Sequence, residues 1–206
     1  MHIKIGLNNK WGRNYPDKRT PDIAFSICKN EGDRTKGFVW GAFNKIEGNT
    51  NGLVVGTYNG IKGDANGPVV GIVNSIGEGT EEFVFGKGNA NRSVIGLLVN
   101  DIKGDANGTV VGIVGNGIFG NANGRVLGTV NIILEKLEGF VFGAMSFCNT
   151  FKGGMLGIIN FTDKGSRGVQ VGLLNIRSDA PWYAKVIPII AFRWSDKKGK
   201  RSQKKE

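Results

Sequence analysis

A parallel β-solenoid is the fold class this sequence predicts, and three observations lead to it. A motif, Gly-x-Val-φ-Gly-φ-φ-Asn, returns about every fifteen residues; branched and aromatic residues surround its glycines; and asparagine recurs late in each unit. Glycine makes up 34 of the 206 residues, more than twice the usual ~7%. It does not fall at every third position, which excludes a collagen helix. No 3.6-residue periodicity survives inside a unit, and each glycine would cost a helix about 1 kcal/mol. Branched and aromatic residues fit a pleated strand instead.

Taken in order, residues 1–21 break the repeat and carry Trp11 and Tyr15, aromatics suited to covering a first coil as an N-terminal cap. The repeat array spans 22–179 and opens with a degenerate unit, DIAFSICKNEGDRTK from Asp22, with Ser26 in the glycine slot. Main units begin at Gly37, Gly52, Gly67, Glu82, Arg92, Gly108, Gly124, Gly139, Gly153 and Gly168, spaced by 15, 15, 15, 10, 16, 16, 15, 14 and 15 residues. Their fifth position is always glycine: Gly41, Gly56, Gly71, Gly86, Gly96, Gly112, Gly128, Gly143, Gly157 and Gly172. A glycine so placed supplies an unusual φ or admits another backbone at close range. The fourth position is always apolar, from Trp40 and Val55 to Leu156 and Val171. Asn44, Asn59, Asn74, Asn89, Asn100, Asn116, Asn131, Asn160 and Asn175 fall at the eighth position or one beyond. After the array, 180–194 hold Trp182, Tyr183, Phe192 and Trp194 and read as a C-terminal cap, with a Trp182–Tyr183 ligand platform as the alternative. Residues 195–206 read as a disordered basic tail.

In a solenoid each unit is one coil, and equivalent residues stack about 4.8 Å apart, so that about eleven coils bring the asparagines into a hydrogen-bonded ladder. An antiparallel meander or barrel is the alternative. The short unit from Glu82 favours it, because FVFGKGNANRSVIG reads as a hairpin. The third and fourth positions lie on opposite sides of a strand, yet both are apolar. Either a corner turns both inward, or one row forms an exposed apolar face for a second copy, another partner or a lipid surface.

Few residues suit chemistry. His2 is the only histidine and sits at the terminus, so Ser-His-Asp and Cys-His mechanisms lack a base. Phosphate-binding glycine loops are missing. Asp64 and Asp105, in the two GDAN turns, read as turn formers, because most equivalent turns lack the acids that calcium-binding coils require. Glu81, Glu82, Glu135 and Glu138 read as solvated. Thr57 and Thr129 share the sixth position, too few for a threonine array. Cys28 and Cys148 stand 120 residues apart without metal-ligand spacing and read as small buried apolar groups. No enzyme activity, cofactor or metal is expected.

The net charge is +10, and the ends carry most of it. Residues 1–36 hold eight Lys/Arg against four acids, and 195–206 hold six against two. Lys197, Lys198, Lys200, Arg201, Lys204 and Lys205 are the candidate electrostatic contacts to nucleic acid or anionic lipid. The N-terminus has no apolar h-region and no run of about 18 apolar residues occurs, so neither a secretory signal nor a transmembrane helix is expected.

The segment GVQVGLLNIRSDAPWYAKVIPIIAFRW from Gly168 resembles the end of bacterial surface repeat proteins known from spirochaetes. Their unit is Gly-[Leu/Val]-Gln-[Ile/Val]-Gly-Leu-φ-Asn, and a Trp/Pro-containing segment closes the array. The resemblance covers about 22–194, with the Gln-bearing form at Gly168–Asn175, and implies a surface location without established enzymatic activity. The expected function is a structural or interaction protein presenting a rigid repetitive surface. A membrane-associated barrel and a tail-mediated anion binder are the alternatives.

Overall fold

The structure is a computed structural model that describes residues 1–11, 21–77, 88–163, 167–182 and 185–193. Strands β1 (Ile3–Trp11), β2 (Ile23–Gly32), β3 (Phe38–Trp40), β4 (Phe43–Ile46), β5 (Val54–Ile61), β6 (Val69–Ile76) and β7 (Val94–Ile102) form the first part. They are followed by β8 (Ala106–Gly112), β9 (Gly115–Ile118), β10 (Ala122–Leu127), β11 (Val130–Thr162), β12 (Arg167–Arg177) and β13 (Val186–Arg193). Every pairing up to β12 is parallel and in motif register: Val54 meets Val69, Gly56 meets Gly71, Asn59 meets Asn74. The chain is therefore a parallel β-solenoid, of about nine turns. Parallel pairing excludes the antiparallel meander and the barrel.

The short unit adds no level between those of Gly71 and Gly96. Val69 pairs with Val94 and Gly71 with Gly96, while Ala65 bridges directly to Ala90. The stack thus passes from the Gly67 coil straight to the Arg92 coil. Residues 78–87, with Gly86, lie outside the described residues. Adjacent levels of the stack are therefore 25 residues apart in sequence here, from Val69 to Val94.

Three inward columns fill the interior. The third position supplies Val39, Val54, Val69, Val94, Val110, Val126 and Val141. A second column runs Ile46, Ile61, Ile76, Ile102, Ile118 and Ile133. The third side contributes Thr35, Thr50, Ala65, Ala90, Ala106 and Ala122. Where that side enlarges to Leu137 and then Phe151, the isoleucine column gives way to Cys148. A close-packed interior requires such an exchange of volume. Each buried Val or Ile contributes about 1.5–3 kcal/mol of apolar burial.

The fourth inward column is polar. Asn9, Asn30, Asn44, Asn59, Asn74, Asn100, Asn116 and Asn131 are buried one above the other. The Asn59 Nδ2 donates to Asn74 Oδ1 at 2.8 Å and to the Val70 carbonyl at 2.9 Å. The same pair of bonds recurs from Asn44, Asn74, Asn100 and Asn116. The amides thereby give the fourth-position carbonyls a second donor beside the backbone amide of the neighbouring coil, as Gly41 N donates to the Val55 carbonyl at 3.1 Å. The fifth-position glycine follows from the ladder, because a Cβ at Gly56 would lie 2.5 Å from Asn44 Nδ2 and 2.9 Å from Asn59 Oδ1. First-position glycines answer a second constraint: Gly124, Gly139, Gly153 and Gly168 hold φ of 134–141°, each directly over the preceding glycine's carbonyl.

Asn89 is not on the buried ladder. It belongs to an outer series in which the backbone amides of Asp64, Asn89, Asp105 and Asn121 donate to the side-chain oxygens of Asn49, Asp64, Asn89 and Asp105. The GDAN carboxylates thus cap the next turn.

The ladder has one gap. Ser146 stands where asparagine is expected, and the Ser146 Oγ and Asn160 Oδ1 are both buried without a hydrogen-bond partner. Gly143 and Gly157 already flank this level as glycines flank the others. Ser146→Asn is therefore expected to stabilise the fold by about 1–2 kcal/mol, by pairing a buried acceptor. Urea unfolding checks this, and an unchanged or lowered midpoint would contradict the ladder account.

The ends differ from expectation. The 1–21 segment does not wholly break the repeat: β1 runs parallel to β2, Gly6 pairs with Ser26, and Asn9 Nδ2 donates to Asn30 Oδ1. Trp11 is fully buried in the core. Its indole covers Gly32, where a Cβ would sit 2.1 Å from the ring, and its Nε1 donates to the Arg34 carbonyl at 2.8 Å. Tyr15 lies outside the described residues. At the other end closure comes from backbone: β13 pairs antiparallel with β12, and Asn175 Nδ2 donates to the Ile187 carbonyl. Trp182 and Phe192 are exposed rather than packed over the last coil. Tyr183 and Trp194 lie outside the described residues.

Candidate functional site: the exposed apolar face

The inside of the corner is already full. Glycine at position five and asparagine at position eight occupy it, so no second apolar row fits there. The fourth position consequently points outward, and the corner also turns positions six and seven out. Among fourth-position residues, Ile95, Phe142 and Leu156 are exposed; position six adds Leu97, Ile113, Ile158 and Leu173, and position seven Phe43, Val114 and Leu174. Phe142 keeps 58% of its surface, Ile113 59% and Leu173 68%. The reading in which both rows turn inward is therefore corrected.

Between the fourth and sixth columns runs a groove. Its floor is the outward backbone of glycines whose Cβ atoms would point inward at the ladder, and the two apolar ridges rise on either side. One stretch of about 660 Å³ has Gly112, Gly128, Gly143 and Gly157 below, Val111, Leu127, Phe142 and Leu156 on one bank, and Ile113, Thr129, Ala144 and Ile158 on the other. A second stretch lies over Gly41, Gly56 and Gly71, between Trp40, Val55 and Val70 and Ala42, Thr57 and Ile72. Among the described residues no charged side chain lines either stretch. At one end Phe25 and Trp40 stack at 4.4 Å, extending the flat surface.

Charge gathers at the edges of this face. On the edge after the seventh position, Lys103 pairs with Asp101 at 2.8 Å, and Lys45 and Lys62 both reach Glu47. The other edge carries Lys36, Arg92, Arg125, Lys152 and Arg167, all exposed and none in an ion pair with a described residue. Glu138 lies on this edge too, bonded to Lys136, and that bond with the ammonium charge lowers its carboxyl pKa.

The residues singled out in sequence divide accordingly. Gly41, Gly56, Gly71, Gly112, Gly128, Gly143 and Gly157 form the groove floor, Gly96 and Gly172 line neither stretch, and Gly86 lies outside the described residues. Asn44, Asn59, Asn74, Asn131, Asn160 and Asn175 lie buried behind it. Lys197, Lys198, Lys200, Arg201, Lys204 and Lys205 are outside the described residues, as is the Cys28 side chain. Cys148 is buried, and loss of hydration pushes its thiol up to about 12, so it stays protonated. Among the described residues no group of His, Cys, Asp or Glu is arranged to hold a metal, and no helix is long and apolar enough to cross a membrane. Sequence reading missed the cationic edge, because its members occupy different motif positions. The outward sixth and seventh columns were readable as apolar, but their direction depends on the corner.

No family model matches the chain, and no curated protein or solved structure matches it either.

Proposed function

We propose that this chain is a non-enzymatic structural and interaction protein whose working part is the outward apolar face of a rigid solenoid. One observation carries the reading: large apolar side chains at positions four, six and seven are exposed in register on the coils from Gly37, Arg92, Gly108, Gly139, Gly153 and Gly168, with a groove between the columns that no charged side chain lines among the described residues. Isolated exposed apolar residues need no explanation, but a contiguous surface of this kind marks a contact. The buried amide ladder supports it by fixing the spacing of the columns. Placement at the cell envelope belongs to the same proposal, and the resemblance of Gly168–Asn175 to surface repeat proteins supports it.

The reading predicts that this face is dispensable for folding. Leu97→Ser, Ile113→Ser and Phe142→Ser should each shift unfolding stability by no more than about 0.5 kcal/mol, as for surface sites, while together abolishing binding of an apolar dye such as anilinonaphthalene sulfonate. Destabilisation by several kcal/mol apiece would show that these residues serve the core. A turnover reaction localised to the array would also overturn the reading.

A further inference from the structure

We infer that the apolar face lies on an anionic lipid bilayer, with the row Lys36, Arg92, Arg125, Lys152 and Arg167 set against the headgroups. The inference rests on the proposed interaction role and names its partner. The motif register places this row along one border of the face. Lys152 and Arg167 are direct cross-strand neighbours, and Arg125 pairs with Phe140, itself 64% exposed. Arg92 stacks under Gly108 at the same corner. A strip of apolar side chains bordered by cations is the arrangement by which an element rests in the interfacial plane, its apolar side about 5–10 Å below the headgroups.

Charge decides between this partner and a second copy. Pairing two faces brings their charged borders together. In an antiparallel face-to-face pair the cationic border meets itself. The opposite border offers no free acids in exchange, since Glu47 and Asp101 are already held by lysines. A bilayer containing anionic lipid accepts the apolar strip and neutralises the row in one contact. It also requires no shape match to the groove.

Co-flotation of the full chain with phosphatidylcholine vesicles, plain or with about one-third phosphatidylglycerol, tests this. Binding to the anionic vesicles is expected. Arg125→Gln with Lys152→Gln should lower the partition coefficient about 25-fold, at roughly fivefold per cation near the surface. Phe142→Ser with Leu156→Ser should lower it at least tenfold by removing apolar insertion. Glutamine at all six basic tail positions should leave the face-dependent loss intact. The inference fails if vesicle binding disappears with the tail charges and ignores the face and its border. It fails equally if the chain does not float and sediments as a dimer whose association the Phe142→Ser, Leu156→Ser pair abolishes; that outcome would preserve the interaction role while changing its partner. A monomer that neither floats nor binds apolar dye would remove both.

Discussion

Gly56→Ala is expected to cost about 3 kcal/mol, the upper end for overpacking, because a clash with backbone cannot be relieved by a rotamer change. The new Cβ would meet the Gly41 carbonyl oxygen at 2.3 Å and the amides of Asn44 and Asn59 at 2.5 and 2.9 Å. Relief would require separating two coils, which breaks the parallel ladder on both sides of the corner. Gly117→Ala provides the contrast, since its nearest neighbour would be Asp101 Oδ1 at 3.6 Å, an ordinary contact. That substitution should be neutral or stabilise by up to about 1 kcal/mol, through a less flexible unfolded chain. Urea denaturation of the two variants separates a steric demand from a general dislike of glycine replacement.

Asn100→Ala is the second large effect. Asn100 accepts from Asn74 and donates to Asn116 and to the Val111 carbonyl, at 2.8, 2.8 and 2.7 Å. Truncation leaves the buried Asn116 Oδ1 without its donor and one Asn74 N–H without its acceptor, so a loss of about 3–5 kcal/mol follows from roughly 1–3 kcal/mol per unpaired buried group. Asn107 makes a similar amide contact with Asn91, but on the exposed side of the coil. There water replaces the lost partner, and Asn107→Ala should cost no more than about 1 kcal/mol. Comparable losses at both positions would mean that burial is not what gives the inner ladder its weight.

Much of this architecture is legible in the linear sequence because a solenoid maps period onto space. A spacing near fifteen residues becomes one turn, and recurring Asn44, Asn59 and Asn74 become a ladder. What resists reading is whatever depends on two coils at once. The fifth motif position is visible as glycine, but the reason, an amide from the neighbouring level inside the corner, requires the stack. The outward direction of Trp40 and Leu156 depends on that same filling. The Glu82 segment imitates the motif through Val84, Phe85 and Gly86, so spacing alone made a coil of residues that the 71-to-96 register bypasses. Asn9 and Trp11 escaped notice as members of the stack because β1 carries an apolar pattern without the full motif. The cationic border is distributed over three motif positions and becomes a row only when the coils are superposed.

The central claim is the parallel, in-register stack, and electron–electron distances between spin labels at Lys36, Asn107 and Arg167 test it most directly. These exposed positions belong to one column, with Asn107 four levels and Arg167 eight levels above Lys36. With Cys28→Ser and Cys148→Ala removing the native thiols, the solenoid predicts backbone separations of about 19 Å and about 38 Å, at roughly 4.8 Å per level. The longer distance should be twice the shorter. A Lys36–Arg167 distance equal to or below the Lys36–Asn107 distance would mean that the sheet closes on itself, and would contradict the stack.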